Sequence, residues 1–255
     1  MKITFLGTGT SQGVPVIACE CNTCLSEDQH DKRLRTSILV ETEKTTLLID
    51  AGPDFRQQML REHVMKLDSI LLTHEHKDHI AGLDDVRAFN YKSQDAVDIW
   101  AEERVQKAIK KEYSYVFSEH QYPGIPKMRL NDIPEQGFFI NDINILPIRV
   151  FHFKLPVYGF RFGEFAYITD ADYIPEQSKE KLFGVKYLVL NALRKEKHVS
   201  HFSLREAIDI IREISPKKAF LTHISHQMGL HAEVSAELPS GIVLAYDGLE
   251  FRCED

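Results

Sequence analysis

The stretch Ile70-Leu71-Leu72-Thr73-His74-Glu75-His76-Lys77-Asp78-His79 decides how the rest of the chain is read. The run from Ser69 to Thr73 is short, apolar and β-rich, which suits a buried strand, and Asp78-His79 open a stretch with helical spacing through Phe89. His74, His76, Asp78 and His79 therefore fall on a strand-to-helix turn. On a straight strand His74, His76 and Asp78 would share one face, because successive side chains alternate. A turn lets such neighbours splay toward two points, which provides for two metal ions. Imidazole together with carboxylate suits zinc, manganese or iron rather than calcium. The bland alternative is a polar, solvated turn; four metal-competent side chains within six residues argue against it.

Composition bounds the answer. The 255 residues are 43% hydrophobic, enough for one α/β domain spanning 1–255. Lys plus Arg number 31 against 38 Asp plus Glu, and the resulting charge of -7 argues against a grip on long nucleic acid through its phosphates. A small anionic substrate stays open, because bound cations would dominate the local field. Met1 to Gly7 reads straight into a strand without the apolar run of a secretory signal, and no stretch approaches the roughly 20 apolar residues that span a bilayer. The expectation is a cytoplasmic protein without a membrane partner. Of four cysteines, Cys19, Cys21 and Cys24 crowd into six residues, which in a reducing compartment favours metal thiolates over disulfides.

Along the chain, Ile3 to Leu6 reads as a strand, followed by the glycine-rich loop from Gly7 to Gly13. That loop lacks the Lys-Ser/Thr ending of a phosphate-binding P-loop; its use is a close approach of backbone to the metal site. Ser37 to Glu41 and Thr46 to Ile49 form a hairpin that ends in Asp50, either a turn residue or a partner that holds a ligand histidine. Asp54 and Gln57 have capping-box spacing for a helix over Phe55 to Glu62, and Ser203 and Glu206 for one over Leu204 to Glu213. Val97 to Trp100 reads as a strand and Glu102 to about Ser118 as helical. Further strands read at Ile143 to Ile148, Arg149 to Phe151, Phe160 to Phe162, Phe165 to Thr169, Tyr187 to Leu190 and Ala219 to Leu221. Three of these are followed by His152, Asp170 and His223, and strand ends are where α/β proteins place sites. Added to the cassette they supply seven ligands for a binuclear centre with Asp170 bridging. His30, His63 and His120 read as surface residues, and His198 and His201 as loop residues, ordinarily exposed.

Read in order, His74-x-His76-x-Asp78-His79, His152, Asp170 and His223 resemble the metal signature of the metallo-β-lactamase superfamily, with Leu48-Ile49-Asp50-Ala51-Gly52 similar to its first motif. The resemblance covers nearly the whole chain and implies an α/β, four-layer αββα sandwich. Within the superfamily the chain resembles the PhnP-type phosphodiesterases, which open phosphoribosyl 1,2-cyclic phosphate. The pieces that carry this are Gly7-Thr8-Gly9, Gln12 to Pro15, Cys19-x-Cys21-x-x-Cys24, His152 to Leu155, Leu221 to Gln227, and Leu238 to Gly241 leading to Asp247-Gly248. It implies a structural zinc on Cys19, Cys21, Cys24 and His226, with Cys253 in place of His226, or three metal-free thiols, as the alternatives. It also implies that His201 protonates the leaving group, and it is compatible with a homodimer. Residues 92–134 find no counterpart, and loop 191–200 differs in its residues.

The function expected is a binuclear metal-dependent hydrolase that cleaves a small phosphodiester, a cyclic one in the first place. His74, His76 and His152 would hold one zinc or manganese ion and Asp78, His79 and His223 the other, with Asp170 spanning both and Asp78 counted among the catalytic groups. A bridging hydroxide would attack phosphorus and His201 act as general acid. The alternatives are a tRNA 3′-processing type of nuclease, disfavoured by the charge, and a non-hydrolytic cofactor-biosynthesis protein of the pyrroloquinoline-quinone type, which should show a depleted ligand set.

Overall fold

The structure is a computed structural model that describes residues 1–119 and 122–253; His120 lies outside the described residues. In chain order the strands are β1 (Lys2–Gly7), β2 (Ser37–Glu41), β3 (Thr46–Ile49), β4 (Ser69–Leu71), β5 (Val97–Ala101), β6 (Met128–Asp132), β7 (Phe138–Ile140), β8 (Ile143–His152), β9 (Leu155–Phe162), β10 (Phe165–Ile168), β11 (Tyr187–Asn191), β12 (Lys218–Thr222), β13 (Ile242–Leu244) and β14 (Glu250–Arg252). They form two seven-stranded sheets, ordered β14-β1-β2-β3-β4-β5-β6 and β13-β12-β11-β10-β9-β8-β7.

The central strands are apolar on both faces, and the period of two sorts those faces into different cores. Ile38 and Val40 of β2, Leu47 and Ile49 of β3, Phe165 and Tyr167 of β10 and Val189 of β11 point into the central core between the sheets. Their neighbours Leu39 and Leu48 pack outward against Phe55, Met59, Val105 and Ile109 from helices Phe55–Arg61 and Glu103–Glu112. Ala166, Ile168, Leu188 and Leu190 pack on the opposite outer face against Ala207, Ile211 and Ile214 of helix Leu204–Ile214. The result is helix, sheet, sheet, helix: the four-layer α/β sandwich expected. Among the described residues, no helix is long and apolar enough to cross a membrane.

Topology then gathers the site. β3, β4 and β5 run parallel, as do β10, β11, β12 and β13, so their C-terminal ends meet at one edge of the sandwich. The Tyr158 N–H donates to the Thr73 carbonyl at 3.1 Å and ties the two sheets together there.

Several local expectations change. The helix expected from Asp78 through Phe89 is broken into Lys77–Ile80, a 3-10 turn at Leu83–Val86, and Arg87–Ser93. The break follows from a backbone approach: the Gly82 N–H donates to the Ala51 carbonyl at 2.8 Å, and a Cβ on Gly82 would collide with the Gly52 carbonyl oxygen. Asp54 caps nothing; its carboxylate accepts from the Arg35 backbone N–H at 2.8 Å and pairs with the guanidinium at 3.0 Å. The box at Ser203 and Glu206 is formed on both sides. Ile143 to Phe151 is one strand rather than two, and the helix after Glu102 ends at Glu112. His30 and His63 are exposed, as expected.

Gly82→Ala should therefore destabilise the fold by about 3 kcal/mol, the upper range for overpacking, read as a lower urea midpoint at unchanged slope. A midpoint equal to the parent's would show that the 51–52 and 81–82 turns have room to part.

Candidate metal centre

The cassette is placed by the end of β4. Leu72 stays in register through its N–H to the Trp100 carbonyl at 3.0 Å, Thr73 turns the chain, and helix Lys77–Ile80 starts after His76. The turn leaves His74, His79 and Asp78 buried and His76 exposed. Opposite them stands Asp170, just past β10. Its Oδ2 is 3.5 Å from His74 Nε2 and 3.3 Å from His79 Nε2, and its Oδ1 is 2.8 Å from His223 Nδ1. Asp78 Oδ2 lies 3.2 Å from His79 Nε2.

Candidate ligand atoms fall into groups mutually within 4.8 Å: Asp78, His79, Asp170 and His223 in one, and His74, His76 and Asp170 in another. Asp170 belongs to both, as a bridging carboxylate must. His152 joins Asp170 in a third group with His201, its ring 5.2 Å from that of His76. All seven residues expected at the centre are brought together.

The second nitrogen of each ring shows that the site is arranged for a cation. Thr73 donates its hydroxyl to Asp50 at 2.9 Å, and carboxylates only accept, so His74 Nδ1–H donates to the Thr73 hydroxyl at 2.9 Å. His79 Nδ1–H donates to Asp50 at 2.7 Å and His152 Nδ1–H to the Ser200 carbonyl at 2.6 Å. Nε2 of all three rings is then the atom left facing inward, available to a cation that displaces any proton it carries. His74 Nε2, His79 Nε2 and His223 Nδ1 are buried and make no well-aligned hydrogen bond, facing the Asp170 carboxylate instead, a costly condition unless a cation stands between them. These residues fit a pair of divalent ions, and outer partners of this kind set tautomer and orientation in metal sites. Asp50 is thus the histidine-holding partner, not a plain turn residue.

Electrostatics agree. Burial by itself would lower the pKa of His79, yet Asp170, Asp78 and Asp50 hold it well above the usual imidazole range. Burial opposes ionisation of Asp170, yet His223 and His79 hold it well below the usual carboxylate range. His74 is pushed well below its ordinary value by burial and by His79. Three buried carboxylates at one spot demand positive charge.

Backbone strain is found here too. Asp50, Asp170 and His223 have φ of 64°, 53° and 56°, the left-handed region that non-glycine residues avoid. Asn191 at the end of β11 over-determines the Asp170 turn: its Oδ1 accepts from the Ala171 N–H and its Nδ2 donates to the Ala171 carbonyl, both at 2.9 Å. Neither Asn191 nor Thr10, whose hydroxyl lies 3.2 Å from His223 Nε2, was marked by the sequence. The loop carrying Thr10 does approach the site: its N–H donates to the Ile224 carbonyl at 3.1 Å.

His201 is buried against expectation for a loop residue, with its ring 4.5 Å from His152 and 4.8 Å from His223. Burial, then His223, pushes its pKa down to about 3, so the ring is neutral at pH 7. His198 is half-buried and accepts from the Ser200 N–H at 3.4 Å.

A separate cluster holds Cys19, Cys21, Cys24 and His226, again within 4.8 Å of one another. His226 Nδ1 is 3.3 Å from Cys19 Sγ and 3.4 Å from Cys21 Sγ, and the Val16 N–H donates to Cys24 Sγ at 3.3 Å. Hydrogen bonding from the Cys24 backbone and from His226 lowers Cys21 to about 6, while burial raises Cys24 to about 11. Three sulfurs and one imidazole at this spacing fit a tetrahedral zinc. Cys253 lies instead in the central core and outside this group.

Residues 45–224 match the model of the beta-lactamase superfamily domain. An octanoyltransferase of Porphyromonas gingivalis is 42% identical over 253 residues, which is 98% of this chain and 51% of that relative. The chain thus spans about half the length of that relative, and a 97-residue segment of it, 32% of this chain and 32% of the other, is 33% identical to the PQQ synthesis protein B of Methylobacterium radiotolerans. Among solved structures, a diphosphatase of the PhnP family superposes with a TM-score of 0.93 at 39% identity, covering 99% of this chain and 98% of the other. Residues 92–134, without counterpart in the sequence reading, fall within that match. Zinc-bound PqqB from Methylobacterium extorquens superposes with a TM-score of 0.80 at 18% identity, over 99% of this chain and 100% of that one, a likeness of fold.

Asp50→Asn should weaken divalent-metal affinity by about 10- to 100-fold, measured by competition against a chromophoric chelator, because an amide can point a donor at His79 and spoil its tautomer. Cys21→Ser should remove one zinc equivalent from the native metal count and lower the thermal midpoint; an unchanged count would assign no metal to that cluster.

Proposed function

Because the chain belongs to the metallo-β-lactamase superfamily, we propose that it is a metal-dependent hydrolase that cleaves a small phosphoric diester, a cyclic one being the first to test. The observation that carries this is the complete set of metal-competent side chains around Asp170, whose carboxylate is common to three groups of ligand atoms. His74, His76 and His152 would hold one zinc or manganese ion, Asp78, His79 and His223 the other, and Asp170 both. Such a pair supplies Lewis-acid charge for the oxygens of the phosphoryl group and a water acidified toward neutrality. The chain's own part is positioning: Asp50, Thr73, Ser200 and Thr10 fix the rings. Cys19, Cys21, Cys24 and His226 would hold the structural zinc, in keeping with a reducing compartment such as the cytoplasm.

His201 is the general acid of this reading. Burial and His223 lower its pKa, so in this role the negative phosphoryl oxygens of the substrate would have to raise it for the ring to carry the proton it gives.

A second reading is hydrolysis of a diphosphate linkage, favoured by the 39%-identical diphosphatase of the PhnP family. Both readings place the chemistry at phosphorus. The octanoyltransferase name belongs to a whole chain of which about half (51%) matches, and so assigns no acyl transfer here. A non-hydrolytic role predicts missing ligands, and all seven are present.

With metals counted in the same preparation, bis-p-nitrophenyl phosphate, cyclic ribose phosphates and a dinucleoside diphosphate should show turnover that depends on zinc or manganese. Metal-replete protein that cleaves none of them would contradict the proposal. His201→Ala at full metal occupancy should cut kcat by about 10²- to 10⁴-fold and flatten the alkaline side of its pH profile, where a general acid loses its proton. An unchanged kcat would remove His201 from the reaction.

A further inference from the structure

The hairpin joining β8 to β9 is built in a way that packing does not require. His152 pairs with Leu155, which leaves Phe153 and Lys154 as a two-residue turn. Phe153 has φ 56°, a left-handed conformation for which glycine is the ordinary occupant in such turns. A bulky residue there is strained, and the strain is held by its neighbours: the Phe153 N–H donates to the carboxylate of Asp172. The side chain gains no burial in return, being 60% exposed. Folding alone would favour glycine.

The location supplies a reason. A depression of about 490 Å³ opens beside the metal centre, lined by His76, His152, Phe153, Lys154 and Val199. His76 and His152 belong to both, so whatever fills the depression is continuous with the reacting group. Val199, 75% exposed, adds a second apolar wall, and the Lys154 ammonium lies 5.4 Å from the Phe153 ring centroid. An apolar ring with a cation at its side suits a ligand that is flat and aromatic at one end and anionic at the other.

We propose that Phe153 is a stacking platform for a nucleobase attached to the phosphoryl group that is cleaved, which makes the substrate a nucleotide derivative rather than a bare sugar phosphate. This rests on the phosphoryl-hydrolase reading above. Stacking on a phenyl face accepts every base, so the platform selects for the presence of a base and not for its identity.

The test is binding, which needs no turnover. Isothermal titration of the metal-loaded protein with adenosine 5′-monophosphate and with ribose 5-phosphate should show the nucleotide bound about tenfold more tightly, the size expected of one stacked base. Phe153→Gly should collapse that ratio toward one while its thermal midpoint stays at or above the parent's, since glycine relieves the turn. Phe153→Trp should retain the ratio. A ratio near one in the parent, or a ratio that Phe153→Gly leaves intact, overturns the platform alone. Absence of binding by either monophosphate overturns the platform and the phosphate-ester reading together.

Discussion

The Asp170 carboxylate, forced into a left-handed turn at the edge where two sheets meet, is the constraint on which the rest of the centre depends. Its two oxygens lie within 3.5 Å of three histidine nitrogens delivered from β4, the helix after it and β12. That position is costly twice over: the backbone is strained and the charge is buried. The fold holds the strained turn through Asn191, which grips Ala171 from the neighbouring strand, while His223 and His79 face the buried charge.

Around that carboxylate, the histidines are rigid because each has its outer nitrogen occupied. Asp50 is the hub, accepting from the Thr73 backbone, the Thr73 hydroxyl and His79, and reaching His74 through that same hydroxyl. Ligand precision thus comes from strand ends rather than from mobile loops, and the only exposed member of the set is His76, on the side that opens toward solvent. The same edge carries the strained tip at Phe153, where the fold trades local comfort for an aromatic surface beside the site.

Much of this is legible in the sequence because its signals are local. The cassette at 74–79 is contiguous, and His152, Asp170 and His223 each follow a recognisable apolar run, so the seven inward groups could be named before the strands were paired. The apolar runs of β2, β3 and β10 likewise mark them as buried strands, although strands apolar on both faces do not say which core each face meets. What escapes is long-range. Asn191 and Thr10 act on residues 20 and 213 positions away, and nothing about an asparagine or a threonine marks such work. The break at Gly82 depends on the approach of Gly52, and Asp54 leaves its helix for Arg35, because tertiary partners outcompete local propensity. Edge strands such as β6 and β14 are short and polar, and so carry no alternation to read.

The central claim is that Asp170 is shared by two metal ions. Anomalous diffraction from crystals of the metal-loaded protein, collected at the zinc and manganese edges, tests it directly. The account predicts two peaks flanking the Asp170 carboxylate, roughly 3.5–4 Å apart as in other two-metal sites, and a separate zinc peak among Cys19, Cys21, Cys24 and His226. A single peak, or two that do not both touch Asp170, would contradict it.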